Sequence, residues 1–436
     1  MIYQPPTALP SNLLTVVEMR SALEQHDFGT VFRLARSQAG ISYSKIAAEC
    51  DIKPERVGAL ARGRGKVTTF EKIVHIADAL RIPGHLIGLA PRPWEREETS
   101  AHLSSTQNGT NVRRRTVLQA ATSTGLAAAL PTLHRAPTPR RVTADYVSAL
   151  RERTARLRRL DDLLGGGDTY RVYLGEYQST KALLREATYA ETTERLLLSL
   201  LAEQAQQAGW AAFDGGRETD AVALYKESHA AAREADDSDL LGNSLAFLAY
   251  QAIADDQRGA VEIAGRACAT ITPGTPTGVR ALLHERMAWA CAVAGQPTEA
   301  ERALEAARTA LDKREATERQ PDWAAWGDRT ELDIMTGRCW TELRRPLRAV
   351  PVLEDALARY ADTHARDKAL YLSWLADAYL TAGEVEQAAH VTNRALGLAT
   401  GVASVRPRRR LASVLHQLKR HKGLDAVDDA LARAVA

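Results

Sequence analysis

The sequence predicts an all-α protein made of a small N-terminal helical domain followed by a long array of helix pairs. Three observations carry that expectation. Alanine is abundant while aromatic residues make up only 6% of the chain, which favours helices packed through small side chains over a sheet core. Near the N-terminus, apolar residues recur at helical spacing and glycines close the helices. From about residue 142 onward, small residues return in register through the rest of the chain.

The 436 residues leave room for two or three domains, at roughly 150 residues per domain. With 45% hydrophobic and 25% charged residues the composition is that of an ordinary globular protein. The net charge of +3 averages over unlike regions and says little about partners. Cys50, Cys268, Cys291 and Cys339 are far apart and make no C-x-x-C pair, so buried thiols in a reducing cytoplasm are expected rather than disulfides or a zinc site. No apolar run reaches the roughly 18 residues of a membrane span. Met1 to Pro10 lacks the basic start and apolar core of a secretory signal. The expected location is the cytoplasm, without a membrane partner.

Three regions follow. Residues 28–90 read as a compact helical domain. Residues 91–141 change character: five prolines, a polar run from Ser104 to Gly109, and arginines at 113, 114, 115, 135, 140 and 141 make a basic linker. Residues 142–436 read as helical repeats.

In the first domain, Val31, Leu34 and Ala35 give one face of a helix beginning at Phe28, which Gly40 ends. Ser42 caps a second helix, Tyr43 to Cys50, with Ile46, Ala47 and Cys50 turned inward. Asp51-Ile52 makes the turn and Lys53 takes the next cap position. Pro54 opens a third helix, where its missing N–H costs nothing, and Gly63 stops it. Two short helices separated by a tight turn form a helix-turn-helix unit, whose second helix enters the major groove of DNA.

From about Phe32 to Leu89 these residues resemble the Cro/C1-type (XRE) helix-turn-helix family. The likeness includes a fourth helix, Phe70 to Leu80, and a closing turn at Pro83-Gly84-His85-Leu86. It implies a lambda-repressor-like fold, with Val57-Gly58-Ala59-Leu60 in the recognition helix. The chain departs from the family pattern at Tyr43, Pro54 and Ala61, so the family's base-reading pairs are not carried over. Charge points the same way independently. Between residues 28 and 66, eight cations (Arg33, Arg36, Lys45, Lys53, Arg56, Arg62, Arg64, Lys66) face three anions (Glu49, Asp51, Glu55). A small domain with that excess pairs with phosphates. Double-stranded DNA is the expected partner. Ser42, Tyr43, Ser44 and Lys45 would position the backbone at a helix N-terminus. Lys53 caps the recognition helix, Glu55, Arg56 and Ala59 are the candidates for base edges, and Arg62, Arg64 and Lys66 would grip phosphate. Gly58 suggests close approach to another surface. The plainer reading of the cations is a solvated face on a packing domain.

In the third region the anchors are Ala221, Ala260, Ala300, Ala349, Ala388 and Ala426. Twelve residues before them come Gly209, Leu248, Ala288, Gly337, Ala376 and Val414; five before come Gly216, Asp255, Gly295, Arg344, Gly383 and His421; seven after come Ser228, Ala267, Ala307, Ala356, Ala395 and Arg433. Small residues flanking a turn position in this way resemble the TPR, with a period near 39 residues and one longer interval. The predicted architecture is a TPR-like α-solenoid, with helices from Ala144 to Leu201 joining or capping it. Such a solenoid offers a groove to a peptide or protein. Trp323, Trp326, Arg329, Arg338, Trp340, Tyr371 and Trp374 are the candidate groove residues; packing between helices is the alternative role, for Trp340, Trp374 and Tyr379 above all.

Other signals are set aside. Arg114-Arg115-Thr116-Val117-Leu118 with the apolar run to Pro131 resembles a twin-arginine export signal, but more than a hundred residues precede it. His284-Glu285-Arg286-Met287-Ala288 lacks the second histidine of a zinc motif, and the glycine clusters at 63–66 and 165–167 lack phosphate-loop spacing. No catalytic residues, metal or cofactor are expected. The combined resemblance implies a transcriptional regulator of actinobacterial type, binding an operator as a homodimer and sensing a partner through its repeats. The rival is an interaction scaffold whose first domain serves protein docking.

Overall fold

The computed structural model describes residues 5, 7–67, 70–87, 89, 92, 94–95, 141–164, 166–315, 318–360, 362, 364–400 and 402–435. All regular structure among them is helical. The chain divides into two compact units, residues 1–65 with 74–141, and residues 142–436 with the short segment 66–73. Residues 96–140, which include the twin-arginine-like stretch, lie outside the described residues.

The first unit opens with α1 (Ser11–Leu14) and α2 (Val17–Glu24), whose Met19 and Leu23 are fully buried. Then come α3 (Phe28–Ala39), α4 (Tyr43–Glu49) and α5 (Pro54–Ala61), with α6 (Phe70–Leu80) and a 3-10 turn at Gly84–Leu86 completing the N-terminal elements. The caps are those the sequence dictates. Asp27 accepts from the Thr30 amide at 3.1 Å, Ser42 from the Lys45 amide at 3.3 Å, and Pro54 is the first residue of its helix. Gly40 ends α3 at φ +68°, a left-handed conformation in which glycine has no Cβ penalty. The tight approach falls at Gly29, where a Cβ would lie 2.2 Å from the Leu60 carbonyl oxygen. At Gly58 nothing comes nearer than 3.4 Å, and that neighbour is the Arg62 side chain.

The second unit is an α-solenoid of adjacent helix pairs. α7 (Ala144–Leu164) and α8 (Gly166–Glu186) lead into six pairs. These are α9 (Glu191–Asp214) with α10 (Glu218–Glu234), α11 (Ser238–Ala252) with α12 (Gln257–Cys268), and α13 (Thr277–Val293) with α14 (Pro297–Asp312). Next are α15 (Arg329–Glu342) with α16 (Pro346–Arg359), α17 (Ala365–Ala382) with α18 (Val385–Ala399), and α19 (Arg406–Leu418) with α20 (Asp425–Arg433). Each of the six sequence copies coincides with one pair. The long interval is accounted for by residues 313–328, which carry a 3-10 turn at Asp322–Ala324.

The repeat columns have a physical cause. The first five anchor alanines are fully buried, as are Ser228, Ala267, Ala307, Ala356 and Ala395. Twelve residues upstream, a Cβ on Gly209 would sit 2.5 Å from the Tyr225 ring, and one on Gly337 2.3 Å from Leu353. Both clashes are with the residue four past the anchor, so a small residue there is what lets the second helix close on the first. Four turn positions, Gly216, Gly295, Arg344 and Gly383, have positive φ. The sixth copy slips: Val427 and Ala430 are fully buried, while Ala426 is half-buried and Arg433 exposed.

The stack returns on itself. The Val405 amide donates to the Asp214 carbonyl at 2.9 Å, Ser404 Oγ to the Asp214 carboxylate at 2.8 Å, and the Gly167 amide to the Ala403 carbonyl at 2.9 Å. Arg409 pairs with Glu218. The sixth pair thus meets the first, and the first helices of the pairs face inward. This explains why α15 and α17 are buried around most of their circumference, polar residues included, whereas α14 and α16 bury one stripe.

Candidate functional site

Two groups of side chains stand apart from packing, one in each unit. In the first unit, α5 is amphipathic: Val57 and Leu60 are buried, while Lys53, Glu55 and Arg56 at its N-terminal end are exposed and Ala59 is half-buried. Ser42, Ser44 and Lys45 around the start of α4 are exposed too, with Tyr43 half-buried. The Arg36 guanidinium lies over the Tyr43 ring at 4.6 Å, which holds a cation beside that helix start. Arg62 and Arg64 are exposed after α5, and Lys66 is exposed at the edge of the next segment. Arg33 is exposed as well, with Glu18 at 3.1 Å. All the cations counted from the sequence are therefore on the surface. Arg56 has a defined posture, since a Cβ at Gly65 would meet its guanidinium at 2.6 Å. The loop after α5 turns at Gly63 and Gly65, both at positive φ, and packs under that side chain.

In the second unit the structure separates the seven groove candidates. Arg338, Tyr371 and Trp374 come together on the inward-facing helices. Arg338 is sandwiched between Trp289 and Trp374, at 4.4 and 4.1 Å from the ring centres, and donates to the Tyr250 hydroxyl at 3.3 Å. Trp374 donates to Glu342 at 3.0 Å, and Tyr371 donates to Glu331 at 2.9 Å. Trp340 is buried under Arg348 of the paired helix, 3.7 Å from its ring centre, and is a packing residue between α15 and α16. Arg329 is exposed and pairs with Asp312. Trp326 is 44% exposed, donates to the Trp323 carbonyl at 2.9 Å and has Arg286 5.7 Å from its ring centre.

Several members of the inner cluster escape the sequence columns: Trp210, Phe213, Tyr250, Glu285, Arg286, Trp289, Arg406 and Arg410. The signal that could have found Trp210 and Trp289 was the position just after the small upstream residue, which holds Trp210, Ala249, Trp289, Arg338 and Asp377 in the first five copies. Bulky aromatic and charged residues alternate there with a small one, a pattern that uniform packing does not need.

Electrostatics inside the ring are unusual. Burial opposes ionisation of Tyr250, yet the guanidiniums of Arg338, Arg406 and Arg286 outweigh it and bring the phenol down to about 7. Burial pushes the Glu285 carboxyl up to about 8, and burial with Asp367 nearby pushes Glu331 up to about 7. Asp214 is fully buried and receives Arg406 at 3.5 Å and Arg366 at 3.9 Å. Arg410 reaches Asp377 at 2.6 Å.

No protein-family model matches the chain, and no curated protein matches it. Among the described residues, no helix is long and apolar enough to cross a membrane.

Proposed function

We propose that the protein is a cytoplasmic, sequence-specific DNA-binding regulator of the XRE type, acting as a homodimer, with a TPR-like domain that binds a ligand or partner. It acts by binding rather than catalysis. The observation that carries this reading is the surface of the first unit. A capped helix start at Ser42–Lys45 and the exposed end of α5 at Lys53–Arg56 sit either side of a four-residue turn, and the surrounding cations are all exposed. Helix N-termini and arginines are the groups that grip phosphate, and an exposed helix end is what reaches base edges in a major groove.

Enrichment of random-sequence duplexes on the full-length protein tests it. The expected product is a two-fold symmetric sequence whose half-sites lie about one helical turn apart. Retention of unrelated duplexes without enrichment would instead support a scaffold whose first unit docks protein.

A further inference from the structure

Arg286 and Arg338 are the unsatisfied part of the ring interior. The neighbouring inward arginines have carboxylates: Arg406 and Arg366 share Asp214, and Arg410 has Asp377 and Glu342. Arg286 and Arg338 form no ion pair among the described residues, and the buried Nε of Arg338 has no hydrogen-bond partner. Burial pushes the Glu285 carboxyl, whose charge acts on both guanidiniums, up to about 8, and that of Glu331 up to about 7. The Tyr250 phenol faces both guanidiniums: Arg338 touches it at 3.3 Å, and Arg286 lies over its ring at 5.4 Å. A buried guanidinium without a paired carboxylate is costly, and Arg338 is held between the Trp289 and Trp374 rings.

The surroundings are not solid core. Tyr250, Arg286, Trp210, Phe213 and Phe247 are all half-buried. The three aromatics pack around Tyr250, with ring centres of Trp210 and Phe213 at 6.2 and 5.8 Å and Phe247 5.7 Å from Trp210. Aromatic rings, with Arg406 over Trp210 at 4.4 Å, beside two guanidiniums that have no carboxylate ion pair suit an amphipathic anion. A single negative charge matches it better than a dianion, because the aromatic wall desolvates the ligand and each added charge raises that cost.

We propose that the ring interior binds an organic carboxylate with an apolar or aromatic body, its carboxylate held by Arg286 and Arg338 and its body against Trp210, Phe213 and Phe247. Arg guanidiniums accept a carboxylate in a bidentate fork, which the single phenol oxygen of Tyr250 does not reproduce. The proposal rests on the repeat domain being the ligand-binding half of the regulator. Its failure is distinguishable, because binding is measured without DNA and DNA enrichment is measured without ligand.

The test is calorimetric titration of the full-length protein, followed in parallel by tryptophan fluorescence. The probes are phenylacetate, phenylacetamide, inorganic phosphate, and a tripeptide ending in phenylalanine with a free or amidated C-terminus. Saturable binding of phenylacetate or the free-acid peptide is expected, with the matching amide weaker by about tenfold or more and phosphate not competing. Preference for the free-acid peptide would identify a peptide C-terminus as the source of the carboxylate, and preference for phenylacetate a free acid. Arg338→Gln and Arg286→Gln should each abolish the preference for acid over amide, whereas Arg348→Gln, on Trp340 outside the cluster, should retain it. Arg286 is half-buried, so its variant keeps the test decisive if the Arg338 variant does not fold. Equal binding of acid and amide, tighter binding of phosphate, or no saturable binding of any carboxylate by a folded protein would overturn the proposal.

Discussion

Arg56 and Glu285 show how differently a charged side chain behaves at the surface and inside the ring. Arg56 is exposed at the start of α5, and its guanidinium lies over the Gly65 loop, which fixes where it is presented. If it reads a base, Arg56→Ala lowers affinity for the enriched duplex by roughly 1–3 kcal/mol while leaving affinity for a scrambled duplex nearly unchanged. An equal loss on both would reassign it to the phosphates. Glu285 is buried beside Arg286, with its carboxyl pushed up to about 8 by burial. Between its ordinary value of 4.5 and about 8, the folded chain keeps a proton that the unfolded chain has lost. This group's contribution to stability therefore falls as pH rises through that window and levels off above it. Glu285→Gln removes the dependence, so the stability of the variant relative to the parent should rise from about pH 5 to about pH 8 in denaturant titrations. A difference that stays constant across that range would show that Glu285 ionises normally.

At the scale of elements, the glycines separate close packing from open space. Gly337 on α15 faces Leu353 on α16 with no room for a methyl group, and the cause is the same contact that places Gly209 under Tyr225. Gly337→Ala should destabilise the second unit by about 1–3 kcal/mol, the usual consequence of overpacking. Gly265, within α12, has nothing within 4 Å of the place a methyl group would take, so Gly265→Ala should stabilise by about 0.5–1 kcal/mol through helix propensity. Thermal or urea unfolding of the two variants separates them; shifts of the same sign would contradict the packing account. These contacts also show why the repeats were legible in the sequence. A small residue, a turn and a buried alanine recur because each helix pair meets the same steric demand. α3 to α6 were legible through caps and glycine stops, such as Ser42, Pro54 and Gly40. α1 and α2 were not, since Ser11–Leu14 spans barely one turn and Val17–Glu24 carries its buried residues without a cap hydrogen bond. The inner cluster was legible only in part. Arg338, Tyr371 and Trp374 stand out by residue type, but their meeting with Tyr250, Arg286 and Arg406 depends on how the stack returns to its first pair, a long-range consequence that no local pattern records.

For the whole molecule, the two units divide two chemistries. The first presents exposed cations around capped helix ends, and the second gathers arginines and aromatic rings within a ring of helix pairs. In the function proposed above, the first unit is the half that binds DNA, through charge and helix geometry, and the interior of the repeats is the half that answers a separate ligand. Phosphate contacts alone give binding that weakens steeply with salt and ignores sequence; base contacts add a preference that persists as salt rises. The most direct measurement of the central claim is therefore the affinity of the full-length protein for its enriched duplex against a scrambled duplex of equal length, over a range of salt. The account predicts that both affinities fall with salt while the enriched duplex stays favoured by about a thousandfold or more. Equal affinity for the two duplexes at every salt concentration would contradict it.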